Sequence, residues 1–203
     1  FGSRLETVSD QQWMQAMTSY LGGDLNNDGV PEFVILTRIP EQLHWFGRTG
    51  SGDWEPRLMD DTFSSISVGG VLVDLTWNGR LYLIASTSDC DNYVYWWVRR
   101  DVFRLPANRT HELLLADIDG DGRPDIYVGE MGLTDWPHAQ QRIFLSRGDR
   151  MEEHIIDAGV GTHEAQVIEL DGRVGVVSKP YRSLQDSAPR PAGVDALYLN
   201  LPA

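Results

Sequence analysis

The chain has 203 residues, 41% hydrophobic and 23% charged, which suits one large folded domain or two small ones and excludes wholesale disorder. Its 30 acidic and 17 basic residues give a formal charge of −13, which repels phosphate backbones and argues against a nucleic-acid partner. A single cysteine, Cys90, excludes an intramolecular disulfide framework, and no apolar run nears the roughly 18 residues of a membrane span.

Arg4 to Val8 is the first strand-like stretch, and it matches Arg150 to Ile155 in character and in its distance ahead of the next acidic loop. Ser9 to Tyr20 admits two readings. Ser9 can cap a helix with Trp13, Met17 and Tyr20 on one face, or the stretch is a loop running into a strand. The second is the expectation, because Thr18 then holds the register of two later histidines. An acidic loop follows from Gly23 to Glu32 (GDLNNDGVPE), with apolar runs at Phe33 to Leu36 and Leu43 to Phe46. A weaker copy of the loop starts at Asp74 (DLTWNGR), before Leu81 to Ala85 and Tyr93 to Val98. The second full copy is Ala116 to Asp125 (ADIDGDGRPD), before Ile126 to Val128 and Ile143 to Leu145. A shortened copy starts at Glu169 (ELDGR), before Val174 to Val177 and Ala196 to Leu199.

The four loop starts, Asp24, Asp74, Asp117 and Glu169, lie 50, 43 and 52 residues apart, a period that indicates propeller blades or a solenoid. The flanks repeat too: Thr110-His111-Glu112 and Thr162-His163-Glu164 each place a His six residues ahead of the loop start. Short runs rich in Val, Ile, Tyr and Trp, bounded by Gly, Asp and Pro, read as strands. Each unit is therefore strand, acidic loop, strand, strand, strand. The expected fold is an all-β propeller of four-stranded antiparallel blades over 18–60, 68–106, 111–157 and 163–203, as a four-bladed ring or half of a larger one. The last unit lacks an outer strand, and residues 4–8 are expected to supply it, which leaves no open sheet edge. Trp45, Trp96 and Trp97 are expected in the core and Trp54, Trp77 and Trp136 in loops; His44 and His154 lie mid-strand.

Asp or Asn at loop positions 1, 3 and 5, then Gly, then an acid at position 9, is an oxygen-ligand arrangement for a hard cation such as calcium. The first set is Asp24, Asn26, Asp28, the Val30 carbonyl and Glu32; the second is Asp117, Asp119, Asp121, the Arg123 carbonyl and Asp125. An EF-hand is excluded because Ile35 and Val128 stand where its bidentate Glu is needed. Plain hairpin turns favour the same residue types, but five spaced ligand positions filled twice point to two calcium ions. The Asp74 copy offers only Asp74, Thr76 and Asn78, with Tyr82 at position 9, and is expected to be empty.

These loops, their strand flanks and their spacing resemble the FG-GAP or VCBS-type repeats of integrin-alpha-like β-propellers, over nearly the whole chain. The resemblance implies a calcium-stabilised propeller, extracellular or periplasmic, usually of seven or eight blades. Four units would then be a small ring, a segment of a longer protein, or one half of a homodimeric eight-bladed ring. Related propellers serve as adhesion modules, lectins and scaffolds of polysaccharide lyases or sugar dehydratases, so activity must be argued from a site.

In a propeller, the face opposite the acidic loops would collect His111, Glu112, His163, Glu164, Glu130, Trp136, His138, Lys179 and Tyr181. Imidazoles and carboxylates suit a metal or proton transfer, and aromatic rings with polar neighbours suit a sugar. Capping of the neighbouring blade's backbone explains the repeated His equally well. The expectation is a secreted binding module for a carbohydrate or protein ligand. The alternative is a lyase or dehydratase using His111, His163, Glu130 and Lys179.

Overall fold

A computed structural model describes residues 17–38, 40–62, 66–74, 79–87, 93–95, 110–131, 138–181 and 195–198. All regular structure in these residues is antiparallel sheet, apart from a single helical turn residue at His138. The first sheet is a four-stranded meander, β1 (Met17–Gly23), β2 (Glu32–Arg38), β3 (Glu41–Arg48) and β4 (Trp54–Asp60), paired in that order. The second contains β5 (Ile66–Val73), β6 (Tyr82–Thr87) and β7 (Tyr93–Tyr95). The third repeats the four-stranded order with β8 (Thr110–Ala116), β9 (Asp125–Glu130), β10 (Gln140–Ser146) and β11 (Met151–Ala158). The fourth contains β12 (Gly161–Leu170), β13 (Arg173–Tyr181) and β14 (Asp195–Tyr198).

The expected outer strands of the second and fourth sheets, including residues 4–8, lie outside the described residues, as do Trp13, Trp77, Trp96, Trp97 and Trp136. Residues 17–20 belong to β1, as the loop-and-strand reading requires. Trp54 is a correction. It opens β4 rather than lying in a loop, because its ring packs edge-on against Phe33 at 4.7 Å and beneath the Arg48 guanidinium at 4.1 Å.

The first strands of successive sheets pack against one another, β1 on β5, β5 on β8 and β8 on β12. The central strand β9 is buried along its whole length, all six of its residues. The outer strand β11 alternates with solvent instead. Between the third and fourth sheets the core is Ile118, Tyr127, Ile143, Leu145, Ala165 and Val176, with Leu114, Ala116, Ile156 and Val174 at its margin. Each large aliphatic side chain removed from water there contributes about 1.5–3 kcal/mol.

One irregularity recurs. The β1–β2 ladder skips Thr18, the β8–β9 ladder skips His111 and the β12–β13 ladder skips His163. The β5–β6 ladder breaks between Ile66 and Gly70, at the same distance from its loop. A bulge leaves one residue unpaired and re-aims it. The register read from the sequence for Thr18, His111 and His163 is thus a register of bulges, at the end of the sheets opposite the acidic loops.

Candidate functional site

The β1–β2 and β8–β9 loops are built on one backbone frame. Asp24 Oδ2 accepts the Gly29 N–H at 2.8 Å, and Asp117 Oδ2 accepts the Gly122 N–H at 2.9 Å. Both glycines lie near φ +85°, where an L side chain is strained. Position 4 is left-handed as well, at Asn27 (φ 66°) and Gly120 (φ 78°). At position 9, Glu32 Oε2 accepts the Leu25 N–H and Asp125 Oδ2 accepts the Ile118 N–H, each at 2.8 Å. Leu25 and Ile118 are buried, so position 2 anchors each loop in the core while the acid closes it. The Asp74 copy keeps part of this frame, because Asp74 Oδ2 accepts the Gly79 N–H at 2.8 Å.

Carboxylate oxygens converge within each full loop. Those of Asp24, Asp28 and Glu32 lie within 4.8 Å of one another, as do those of Asp117, Asp119 and Asp125. Burial pushes the Glu32 carboxyl above its ordinary range, opposed by the Leu25 N–H and reinforced by Asp28. Burial raises Asp125 in the same way, although the Ser146 and Ile118 amides bond to it. Asp117 Oδ1 is buried with no hydrogen-bond partner. Converging carboxylates, one buried in each loop (Glu32 and Asp125) and one with an unsatisfied oxygen (Asp117), form an all-oxygen donor set that fits a hard divalent cation better than a transition metal. Two acidic clusters able to hold a metal ion are therefore present.

The remaining expected ligands make other contacts. Asn26 Oδ1 accepts the Asp28 N–H and its Nδ2 donates to Asp28 Oδ2, both at 2.9 Å, so it lies inside the first loop. Asp121 is outside the converging trio. Its Oδ1 accepts the Arg123 N–H at 2.9 Å and its Oδ2 faces Arg147 Nη1 at 3.4 Å. Val30 is exposed and Arg123 half-buried. Arg147, in the β10–β11 turn, escaped the sequence reading because it lies 28 residues beyond Asp119, whose Oδ2 its Nη1 reaches at 2.6 Å.

No protein-family model matches the chain, and no curated protein matches it in sequence.

At the opposite end, the two bulged histidines meet. The His111 and His163 rings stack with centroids 4.3 Å apart and planes 28° from parallel. Burial, then the neighbouring His163, lowers the His111 pKa. Glu164 lies 3.6 Å from His163 Nδ1 and 3.4 Å from Lys179 Nζ, opposite which it pairs across the β12–β13 ladder. Tyr181 pairs with Gly161 at the same end, while Trp136 lies outside the described residues. His138 is exposed just ahead of β10. The backbone cap anticipated for the histidines is present at His111, which bonds the His163 backbone of the next sheet, and Glu112 adds a second one, its Oε2 accepting the Ala165 N–H at 3.1 Å. Glu130 is buried in an ion pair with Arg142 and accepts the Gln140 N–H at 2.9 Å. The structure thus brings together His111, His163, Glu164 and Lys179, and gives Glu130 to Arg142.

Proposed function

We propose that this chain is a calcium-binding β-propeller of the FG-GAP type, its four sheets being blades, and that it acts outside the cell as a binding module. The reading rests chiefly on the two acidic loops. They share one frame, present only oxygen donors, and in the second leave Asp117 Oδ1 buried and unsatisfied. Asp24, Asn26, Asp28, the Val30 carbonyl and Glu32 would hold one ion; Asp117, Asp119, Asp121, the Arg123 carbonyl and Asp125 would hold the other. The bound cation supplies charge that offsets the crowded carboxylates and ties the loops to their sheets.

The deciding experiment is thermal melting in EDTA and in millimolar calcium, with calorimetric titration. Ligand at about 100 times Kd stabilises a fold by about 2.7 kcal/mol, so a clear rise in Tm is expected. Equal melting curves would refute calcium binding. The ligand is proposed to be a carbohydrate or protein meeting the end that carries His111, His163, His138, Lys179 and Tyr181. A glycan array with the double variant His111→Asn/His163→Asn tests that face. A lyase or dehydratase would need Glu130 as a free acid or base, and its engagement by Arg142 supports the binding module instead.

A further inference from the structure

The two acidic loops share a backbone but differ in what surrounds their carboxylates. In the first, Asp24 and Asp28 bond only to amides of the loop itself and to Asn26, and no basic side chain contacts either of them or Glu32 among the described residues. In the second, Arg147 Nη1 meets Asp119 Oδ2 at 2.6 Å and Asp121 Oδ2 at 3.4 Å, while its Nε donates to Glu152 at 3.0 Å. The Asp119 side chain is 0% exposed, whereas that of Arg147 is 24% exposed, so only the acid of the pair is withdrawn from water. The other oxygens of both acids are also taken, Asp119 Oδ1 by the Asp121 N–H and Asp121 Oδ1 by the Arg123 N–H. The cross-strand register makes Thr49 the counterpart of Arg147 in the first sheet, since Phe33 pairs with Phe46 as Ile126 pairs with Phe144. Thr49 carries no charge, and its hydroxyl bonds Ser51 and the Asp53 amide.

We propose that Arg147 is a built-in competitor for the second loop, an internal cation that holds Asp119 and Asp121 until a calcium ion displaces it. This inference rests on the calcium reading of the same loop. A guanidinium and a divalent cation on the same two carboxylates repel at contact distance, so Asp119 and Asp121 cannot serve both well. Filling the loop therefore releases Arg147, and with it Glu152 on the exposed outer strand β11. The two loops consequently differ in affinity although their ligand residues are nearly alike. The first accepts calcium directly; the second accepts it only against its own arginine.

The test is calorimetric titration with calcium alone, in an Asp28→Ala background that silences the first loop. Adding Arg147→Gln should tighten the remaining site about tenfold, corresponding to about 1.4 kcal/mol, and lower the Tm measured in EDTA. Arg147→Lys, which keeps the charge but loses the fork, should fall between the two. Unchanged or weaker affinity in Arg147→Gln would overturn the competitor role while leaving calcium binding intact. Absence of calcium binding with and without the arginine would overturn the calcium reading itself. A measurement on the unaltered chain guards against misfolding of the variants. The Arg147 Nε–H resonance, assigned by its loss in Arg147→Lys, should shift on calcium addition, and an unmoved resonance would also overturn the proposal.

Discussion

Asp125 is the buried acid that closes the second loop. One oxygen takes the Ile118 amide and the other the Ser146 amide, each at 2.8 Å and all buried. Removing it strands two donors, each costing about 1–3 kcal/mol. Asp125→Ala should therefore destabilise the chain by about 2–5 kcal/mol in urea denaturation, and Asp125→Asn by less, since Asn keeps one acceptor. A loss below about 1 kcal/mol for Asp125→Ala would show that these bonds do not hold the loop. His111 gives a second prediction at this scale. Its pKa is lowered in the fold by burial and then by His163, so the unfolded chain takes up the proton first. Stability from the neutral ring is complete above the unfolded value near 6.5 and is lost as pH falls below it, by at most about 1.4 kcal/mol per pH unit for one proton. The urea midpoint should drop between pH 7.5 and 5.5, and His111→Asn should flatten that slope. Parallel profiles for the two proteins would contradict it. The raised carboxyls of Glu112, Glu32 and Asp125 act oppositely, gaining stability on acidification, but in the lower window above their unfolded values of about 4.

Much of the element pattern was legible in the sequence, because it rests on local chemistry. The acidic loops announce themselves through Asp, Asn and Gly at fixed offsets, and the strands through short apolar runs between them. Thr18, His111 and His163 were legible as a shared register, though their role as bulges was not, since a bulge is visible only once both strands are paired. Pairing also decides what sequence reading missed. Arg142 reaches Glu130 across the β9–β10 ladder, Arg147 reaches back from a hairpin, and Glu112 accepts the Ala165 amide of the next sheet. Each depends on a contact between residues distant in the chain. Gly129 marks a close approach between neighbouring sheets. A Cβ there would lie 3.1 Å from the Tyr127 hydroxyl and 3.2 Å from Thr162 of the neighbouring sheet. Tyr127 is fully buried and donates to Gln141 at 2.8 Å, so it has little room to yield. Gly129→Ala should cost about 1–3 kcal/mol through overpacking, read as a lower urea midpoint with an unchanged m-value. A neutral substitution would mean that β9 and β12 separate more easily than their contact implies.

For the whole molecule, the excess of 30 acidic over 17 basic residues means that the calcium-free chain repels itself. Raising sodium chloride from about 0.05 to 0.5 M shortens the Debye length from roughly 14 to 4 Å, so the Tm in EDTA should rise with salt. With calcium in the two loops, as proposed, the same addition should move it less, because six converging carboxylates are then already compensated. A salt response of equal size in both conditions would place the repulsion elsewhere on the surface.

The Asp74–Gly79 hydrogen bond has a meaning of its own. The second repeat retains the Asp–Gly hydrogen bond of the two full loops, although it has Thr76 at position 3 and Tyr82 at position 9. That bond needs only an aspartate and a glycine, whereas the proposed ion would also need the acids between and beyond them. Under the calcium proposal, a repeat can lose its ion ligands without losing that hydrogen bond. The reverse path stays open: Thr76→Asp, Asn78→Asp and Tyr82→Asp would add the missing donors to a loop whose Asp74–Gly79 bond is already made, with the buried Tyr82 ring as the part the sheet would have to give up.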